Sequence, residues 1–290
     1  MTETHSHPVI MGITDRLEAF TPKGRILGRY IIQNPRKVVF MTTKELSEAC
    51  GVSEATVVRF VGQLGYGGYG EFLQALRDVL DSELSLPDRV DLPGMQGAGA
   101  DLLHRVVSEE MNNLRHFYET ADMEVLDRIV ECVMKSEAVY VIGSRISYTF
   151  AYYLGWSLTK VRKGIRILKG SDSAAIDWLT NAPDRSLVIL IAISRYPNEL
   201  IKLGKLARRL GHTLLVIADN TLCPVIPFAN LALSIPSKSI PLIGYPTTIS
   251  CLTNYLVLKI VNQQHPHLKD HQEKLEQVYL ENDILFNMHI

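Results

Sequence analysis

The sequence has no surplus of charge of either sign. Across 290 residues, 30 Lys and Arg stand against 31 Asp and Glu, for a formal net charge of −1. As a whole-chain average this argues against nucleic acid, because a Lys and Arg surplus is what drives phosphate binding. Long apolar runs are missing too. The longest uninterrupted stretch, Leu187–Ile193, falls far short of the roughly 20 residues that span a bilayer. His5, His7 and Pro8 begin the chain, with no basic region followed by an apolar stretch, so a secretory signal is excluded. Cysteine is sparse: Cys50, Cys132, Cys223 and Cys251 are widely spaced and form no CxxC. They read as reduced thiols in a cytoplasmic protein. No internal repeat or low-complexity tract is visible. What remains is 47% hydrophobic and 21% charged residues, ordinary for a soluble globular protein, in a length that predicts about two domains.

The division falls at residues 81–100. Pro87, Pro93, Gly94, Gly97 and Gly99 crowd into this stretch, which has turn chemistry and little periodic apolar content, so it reads as a linker. It separates a domain at 1–80 from one at 101–290. The charges separate with it. From Arg16 to Arg77 there are nine Lys and Arg against five Asp and Glu, whereas residues 101–290 hold 20 against 19. The small domain is mildly basic and the large one nearly neutral, so the whole-chain balance does not exclude nucleic acid after all.

The small domain reads as helices only. Ile26, Leu27, Tyr30 and Ile31 lie at helical spacing within 24–33, ended by Asn34-Pro35. Thr42 followed by Glu45 is a capping box ahead of a helix over 43–50. Gly51 breaks that helix, and Ser53 can cap the next, which runs to about Leu64. Glycines 65, 67, 68 and 70 make a loop before a last helix over 71–80. Two short helices around a glycine turn are what a DNA-reading helix-turn-helix needs. In the second of them Val57, Phe60, Val61 and Leu64 form a stripe to bury, while Ala55, Arg59, Gly62 and Gln63 face away, with Thr56 beside them. Small residues there let the helix enter a major groove, where Arg59 or Gln63 can reach base edges. Ser53 and the helix start could meet a phosphate, with Lys44 and Tyr69 as further backbone contacts. The competing reading is a plain helical bundle with a solvated polar face.

The large domain changes period. Helical patterns over 100–120 and 123–135 precede short apolar runs at 138–142, 166–168, 187–193, 213–218 and 231–235, with helical patterns between them. This predicts an α/β domain whose parallel sheet is flanked by helices. Two more helices are expected over 246–264 and 269–286. The run at 138–142 leads into Gly143, Ser144, Arg145 and Ser147 at a helix start, an arrangement that favours an anion. The run at 187–193 leads into Ser194, Arg195, Tyr196, Pro197 and Glu199 before another helix. If the two strands are neighbours, both loops open at the carboxyl edge of the sheet, where such folds bind ligands.

Residues 42–72, TTKELSEACGVSEATVVRFVGQLGYGGYGEF, closely resemble the N-terminal helix-turn-helix of the RpiR family of bacterial transcriptional regulators. VSEATVVRF and LGYGGYGEF are the specific parts. The α/β layout resembles the SIS, or sugar isomerase, domain that follows in that family, so the likeness covers about residues 15–265. It implies that the helix carrying Ser53–Leu64 is the recognition helix, and that hydroxyls of the two loops bind a phosphosugar. In the first loop the family pattern is Gly-x-Gly-x-Ser; Gly143 and Ser147 match, and Arg145 replaces the second glycine. In the second the pattern is Ser-x-Ser-Gly-x-Thr; Ser194 matches, while Tyr196, Pro197 and Glu199 replace Ser, Gly and Thr. Glu199 would repel a phosphate at its position. Either Arg145 and Arg195 supply charge-assisted contacts in place of the lost hydroxyls, or the pocket reads another metabolite or nothing.

The reading that follows is a DNA-binding regulator, with a double-stranded operator and a small acidic effector as partners, pairing as a homodimer or homotetramer to match half-sites. No cofactor, metal or catalytic residue is expected. His265, His267 and His271 read as an exposed helix start at Pro266 rather than as metal ligands. Trp156 and Trp178 read as core. Leu268, Leu275, Val278, Tyr279, Leu285 and Phe286 give the terminal helix an apolar stripe, open to packing within the chain or against another. Two alternatives stand beside this. One is a SIS-fold sugar-phosphate isomerase, with Glu199 and His212 the only candidate bases. The other is a DNA-binding protein with a degenerate SIS domain.

Overall fold

The computed structural model describes residues 8–80, 99–193, 195–235 and 246–284. Two compact units emerge, Met1–Leu102 and Leu103–Ile290. The expected linker falls on residues outside the described ones, except that Gly99 and Ala100 already belong to a helix.

In the first unit the helices are α1 (Pro8–Asp15), α2 (Pro22–Gln33), α3 (Pro35–Val38), α4 (Thr43–Cys50), α5 (Glu54–Gln63) and α6 (Tyr69–Leu80). Their ends follow from local chemistry. Thr21 accepts from the Gly24 N–H and Pro22 opens α2, where its missing donor costs nothing. At α4 Thr42 and Glu45 form a reciprocal capping box. Gly51 ends α4 at φ +64°, a left-handed conformation glycine takes without strain. Ser53 then caps α5 through the Thr56 N–H. One core joins the helices: Leu27, Ile31, Leu46, Val57, Phe60, Val61 and Phe72 are all buried, and the Phe20 and Phe60 rings meet at a tilt with centres 4.7 Å apart.

The second unit takes in α7 (Gly99–Thr120) from Leu103 onward and then α8 (Met123–Lys135). It continues as β1 (Val139–Gly143), α9 (Ile146–Thr159), β2 (Ile165–Lys169), α10 (Ala174–Thr180), β3 (Leu187–Ala192), α11 (Asn198–Arg209), β4 (Thr213–Ala218), β5 (Leu231–Ser234) and α12 (Pro246–Glu281). The five strands lie in the order β2-β1-β3-β4-β5. Every pairing is parallel. β1 and β3, buried on both faces, are uniformly apolar as central parallel strands must be. Alternate residues of each strand enter two cores. Val139, Val141, Ile189 and Ile191 pack with α8, α9 and α12, while Tyr140, Ile142, Val188 and Leu190 pack with α10 and α11. The chain leaves β1 for β2 on one side and reaches β3 on the other. The carboxyl edge between β1 and β3 is therefore the switch point where such sheets open a ligand crevice.

Two expectations need correction. Trp156 and Trp178 are 44% and 42% exposed rather than core. Lys160 stands over the first ring at 3.4 Å and Arg166 over the second at 4.0 Å, so each indole is sheltered by a cation instead of by apolar packing. The two helices expected over 246–264 and 269–286 are one, α12, which runs through Pro266 to Glu281. Proline removes one hydrogen bond from such a helix. Packing along α9 keeps the axis: Leu256, Ile260 and Leu268 are buried, and His271 Nε2 lies 2.9 Å from the Thr159 carbonyl oxygen. His271 is thus a half-buried packing residue and not an exposed helix start. Leu285 and Phe286 lie outside the described residues.

Candidate functional site

Helix α5 presents the face read from the sequence. Ser53, Ala55, Arg59 and Gln63 are exposed and Thr56 is half-buried, while Val57, Phe60 and Val61 turn inward. Ser53, Thr56 and Arg59 form a polar ladder at i, i+3 and i+6. The Ser53 and Thr56 hydroxyl oxygens are 2.8 Å apart, and Arg59 donates to the Thr56 oxygen at 3.4 Å. This holds the guanidinium along its own helix and leaves it on the surface. Lys44 is exposed in the first turn of α4. Tyr69 is less available: its hydroxyl donates to the Met41 carbonyl at 3.1 Å, and its ring packs against Phe72.

Sequence reasoning missed the neighbours of that face. Arg16 Nη1 donates to the Gln63 carbonyl at 3.0 Å. The start of α2, with Thr21, Pro22 and Lys23, forms with Thr56, Arg59, Phe60 and Gln63 a groove of ≈ 520 Å³. The place of this helix start beside α5 depends on the tertiary fold, which no local pattern contains.

In the second unit Gly143 ends β1. A Cβ there would lie 2.3 Å from the Ser147 carbonyl oxygen and 2.7 Å from the Tyr148 nitrogen, so only glycine lets α9 start this close to the strand. Arg145, where the resembled pattern has its second glycine, keeps a left-handed backbone at φ 54°, and Arg195 does the same at φ 61°. Such conformations cost a non-glycine residue about 1–3 kcal/mol. Both side chains are exposed.

The two first-loop hydroxyls that the resemblance assigns to an anion are already engaged. Ser147 is buried and its oxygen accepts the Ile193 N–H at 3.3 Å, tying the first loop to the end of β3. Ser144 is buried and donates to Glu199 Oε1 at 2.6 Å. That hydrogen bond, with one from the Glu199 backbone, holds the Glu199 carboxyl below its ordinary value; Arg145 and Lys202 add to the effect. Glu199 therefore stays ionised at neutral pH and stands where the resembled pattern would place an incoming anion. Tyr196 turns its hydroxyl onto Asp219 at 2.9 Å. Ser194 lies outside the described residues. Sequence reasoning also missed Ser234, the last residue of β5, and Thr248 in the first turn of α12. Each has a buried hydroxyl oxygen with no hydrogen-bond partner among the described residues.

The two candidate bases do not meet. Glu199 opens α11 at the carboxyl edge, whereas His212 precedes β4 at the opposite edge, buried, with Nε2 2.9 Å from the Leu179 carbonyl oxygen. Among the described residues no cluster of three His, Cys, Asp or Glu could hold a metal, and no helix is long and apolar enough to cross a membrane.

Comparison with known proteins matches residues 9–83 to the helix-turn-helix domain of the rpiR family and residues 133–261 to the SIS domain. The chain is 24% identical over 276 residues to the HTH-type transcriptional regulator HexR of Pseudomonas aeruginosa, covering 91% of this chain and 94% of that one. Among solved structures it is similar to the Vibrio vulnificus NanR protein complexed with ManNAc-6P, with a TM-score of 0.59 and 22% identity over 96% of this chain and all of that one. It is also similar to the sugar isomerase domain of an RpiR transcription factor from Sphaerobacter thermophilus, with a TM-score of 0.57 and 20% identity over 61% of this chain and 98% of that one. At these identities the structural likeness is one of fold.

Proposed function

The chain is a regulator of the RpiR type, a helix-turn-helix domain joined to a SIS domain, and from that premise we propose that it binds a DNA operator and releases or tightens on it in response to a small acidic metabolite. The observation that carries the effector reading is the pair Arg145 and Arg195. Two loops at one carboxyl edge each hold an exposed arginine in a strained left-handed backbone. Strain of this kind persists where the surrounding fold over-determines it, and it gathers at ligand clamps. Guanidinium groups there can take over the anion contacts that Ser144 and Ser147 no longer offer. A phosphosugar is the specific case that the NanR complex with ManNAc-6P supports.

On the DNA side we assign base reading to Arg59 and Gln63, close approach to Ala55 and Thr56, and phosphate contacts to Ser53 and Lys44. Tyr69 acts by positioning the turn rather than by contact. The regulator works as a homodimer or homotetramer, since paired readers match paired half-sites. Ligand at the carboxyl edge and DNA at α5 would then bias one equilibrium of the assembly. The protein is not an isomerase on this reading, because Glu199 and His212 are at opposite edges of the sheet. The test is a mobility-shift assay on DNA flanking the gene, repeated with a panel of sugar phosphates and other acids. Salt-dependent, sequence-specific binding that one panel member shifts supports the reading. Specific binding that no member shifts leaves a DNA-binding protein without an effector.

A further inference from the structure

A second cavity lies beside the carboxyl-edge loops and shares Glu199 with the second of them. It measures ≈ 450 Å³ and runs between α10 and α11, a size that suits a small molecule. Its α11 wall carries Lys202, Lys205 and Arg209, at i, i+3 and i+7 on one face. All three are exposed, and none forms an ion pair among the described residues. The facing wall is the turn after β2, with Ser171, Asp172 and Ser173. The Asp172 carboxylate is committed to the fold, accepting the Ala174 N–H at 3.0 Å. The two serine hydroxyls have no hydrogen-bond partner among the described residues. Leu203 and Leu206 form an apolar floor.

Glu199 lines the inner end of this cavity, where its carboxylate is held by Ser144. The cavity adjoins the first loop there: a Cβ on Gly170 would sit 3.4 Å from the Ser144 Cβ. Two carboxylates, both engaged by the fold, thus share a cavity with three cations, of which Lys202 acts on Glu199 and Lys205 stands 5.3 Å from the Phe228 ring centre, and with two hydroxyls. The helix face is flanked by a hydroxyl-bearing turn and floored by Leu203 and Leu206, so its cations border a concave site. We propose that the α10–α11 cavity is a separate seat for an anionic, hydroxylated small molecule. Its acid group lies on Lys205 and Arg209, and its hydroxyls lie toward Ser171, Ser173 and Glu199. This goes beyond the effector reading above, which puts the acid at Arg145 and Arg195.

The experiment is isothermal titration of the full chain with inorganic phosphate and with glucose 6-phosphate. It compares wild type, the pair Lys205→Ala with Arg209→Ala, and, as a control on the other face of the sheet, the pair Lys135→Ala with Lys269→Ala. All four positions are exposed; unchanged thermal unfolding without ligand checks that both variants fold. The proposal expects the Lys205–Arg209 variant to weaken glucose 6-phosphate at least tenfold, while the control, which removes the same charge elsewhere, stays within threefold of wild type. It also expects Glu199→Gln to tighten binding, since a fixed negative charge leaves the cavity. Wild-type affinity in the Lys205–Arg209 variant overturns the proposal and leaves the acid to Arg145 and Arg195. Equal loss in both variants means a bulk charge effect and also overturns it. No binding of either probe to wild type overturns it outright.

Discussion

Helix α5 and the carboxyl-edge loops use similar residues in opposite ways. On α5, Ser53, Thr56 and Arg59 bond only within one helix, and their outer surface stays open. At the carboxyl edge Ser144 reaches Glu199, 55 positions along the chain, Ser147 takes the Ile193 N–H from β3, and Tyr196 holds Asp219. The first surface is ready for a ligand that brings its own charge, as DNA does. The second has its hydroxyls and one carboxylate already matched, so a ligand there must exchange an internal contact or bind beside it. Selectivity follows from that exchange, because burying a polar group that loses its partner is costly.

The largest test of this contrast is on the sensor. Gly143→Ala forces a Cβ onto the α9 backbone, and it should cost about 3 kcal/mol or more, at the upper end of single-substitution effects. In denaturant unfolding followed by circular dichroism, the transition of the second unit should move while that of the first stays. A shift of both would mean that the units do not respond separately. Next is Arg59→Ala, which should weaken specific DNA by about 1–3 kcal/mol and relax discrimination at one base position. Fluorescence anisotropy with matched and mismatched operators reads this; an equal loss on every sequence would make Arg59 a phosphate contact. Smaller again is Ser53→Ala, which removes the α5 cap and should cost about 1 kcal/mol. Thermal unfolding of the first unit measures it.

The smallest effect is one of pH. In the folded state the Glu199 carboxyl is held below its ordinary value of 4.5. A lowered folded value means that the Ser144–Glu199 bond adds stability above the unfolded value, and that this is lost as pH falls through the folded one. Glu199→Gln should therefore narrow the stability gap between neutral pH and about pH 4. Urea unfolding across that window tests it, and an identical pH profile in the variant would show that the carboxylate contributes nothing to the fold.

The same contrast explains what could be read in advance. The Thr42–Glu45 box, the Gly51 break and the Ser53 cap are contacts between residues at most four apart, so their partners lie side by side in the sequence. The parallel sheet was legible because buried central strands are continuous apolar runs. The candidate site was legible only as a location. Gly143 and the two loops stood out, but the Ser144–Glu199 bond needs the order β1-β3 and the packing of α11, neither of which a local pattern contains. The groove of Thr21 and Lys23 beside α5, and the Arg16–Gln63 hydrogen bond, were hidden for the same reason. Trp156 and Trp178 misled because aromatic residues suggest a core, whereas Lys160 and Arg166 shelter them at the surface.

The most direct measurement of the central claim is the affinity of the intact chain for its operator, by fluorescence anisotropy at fixed salt, with and without sugar phosphates. The account predicts operator binding well above that of unrelated DNA and a several-fold shift in that affinity with at least one acidic ligand. Operator affinity no greater than that for unrelated DNA, whatever the ligand, would contradict it.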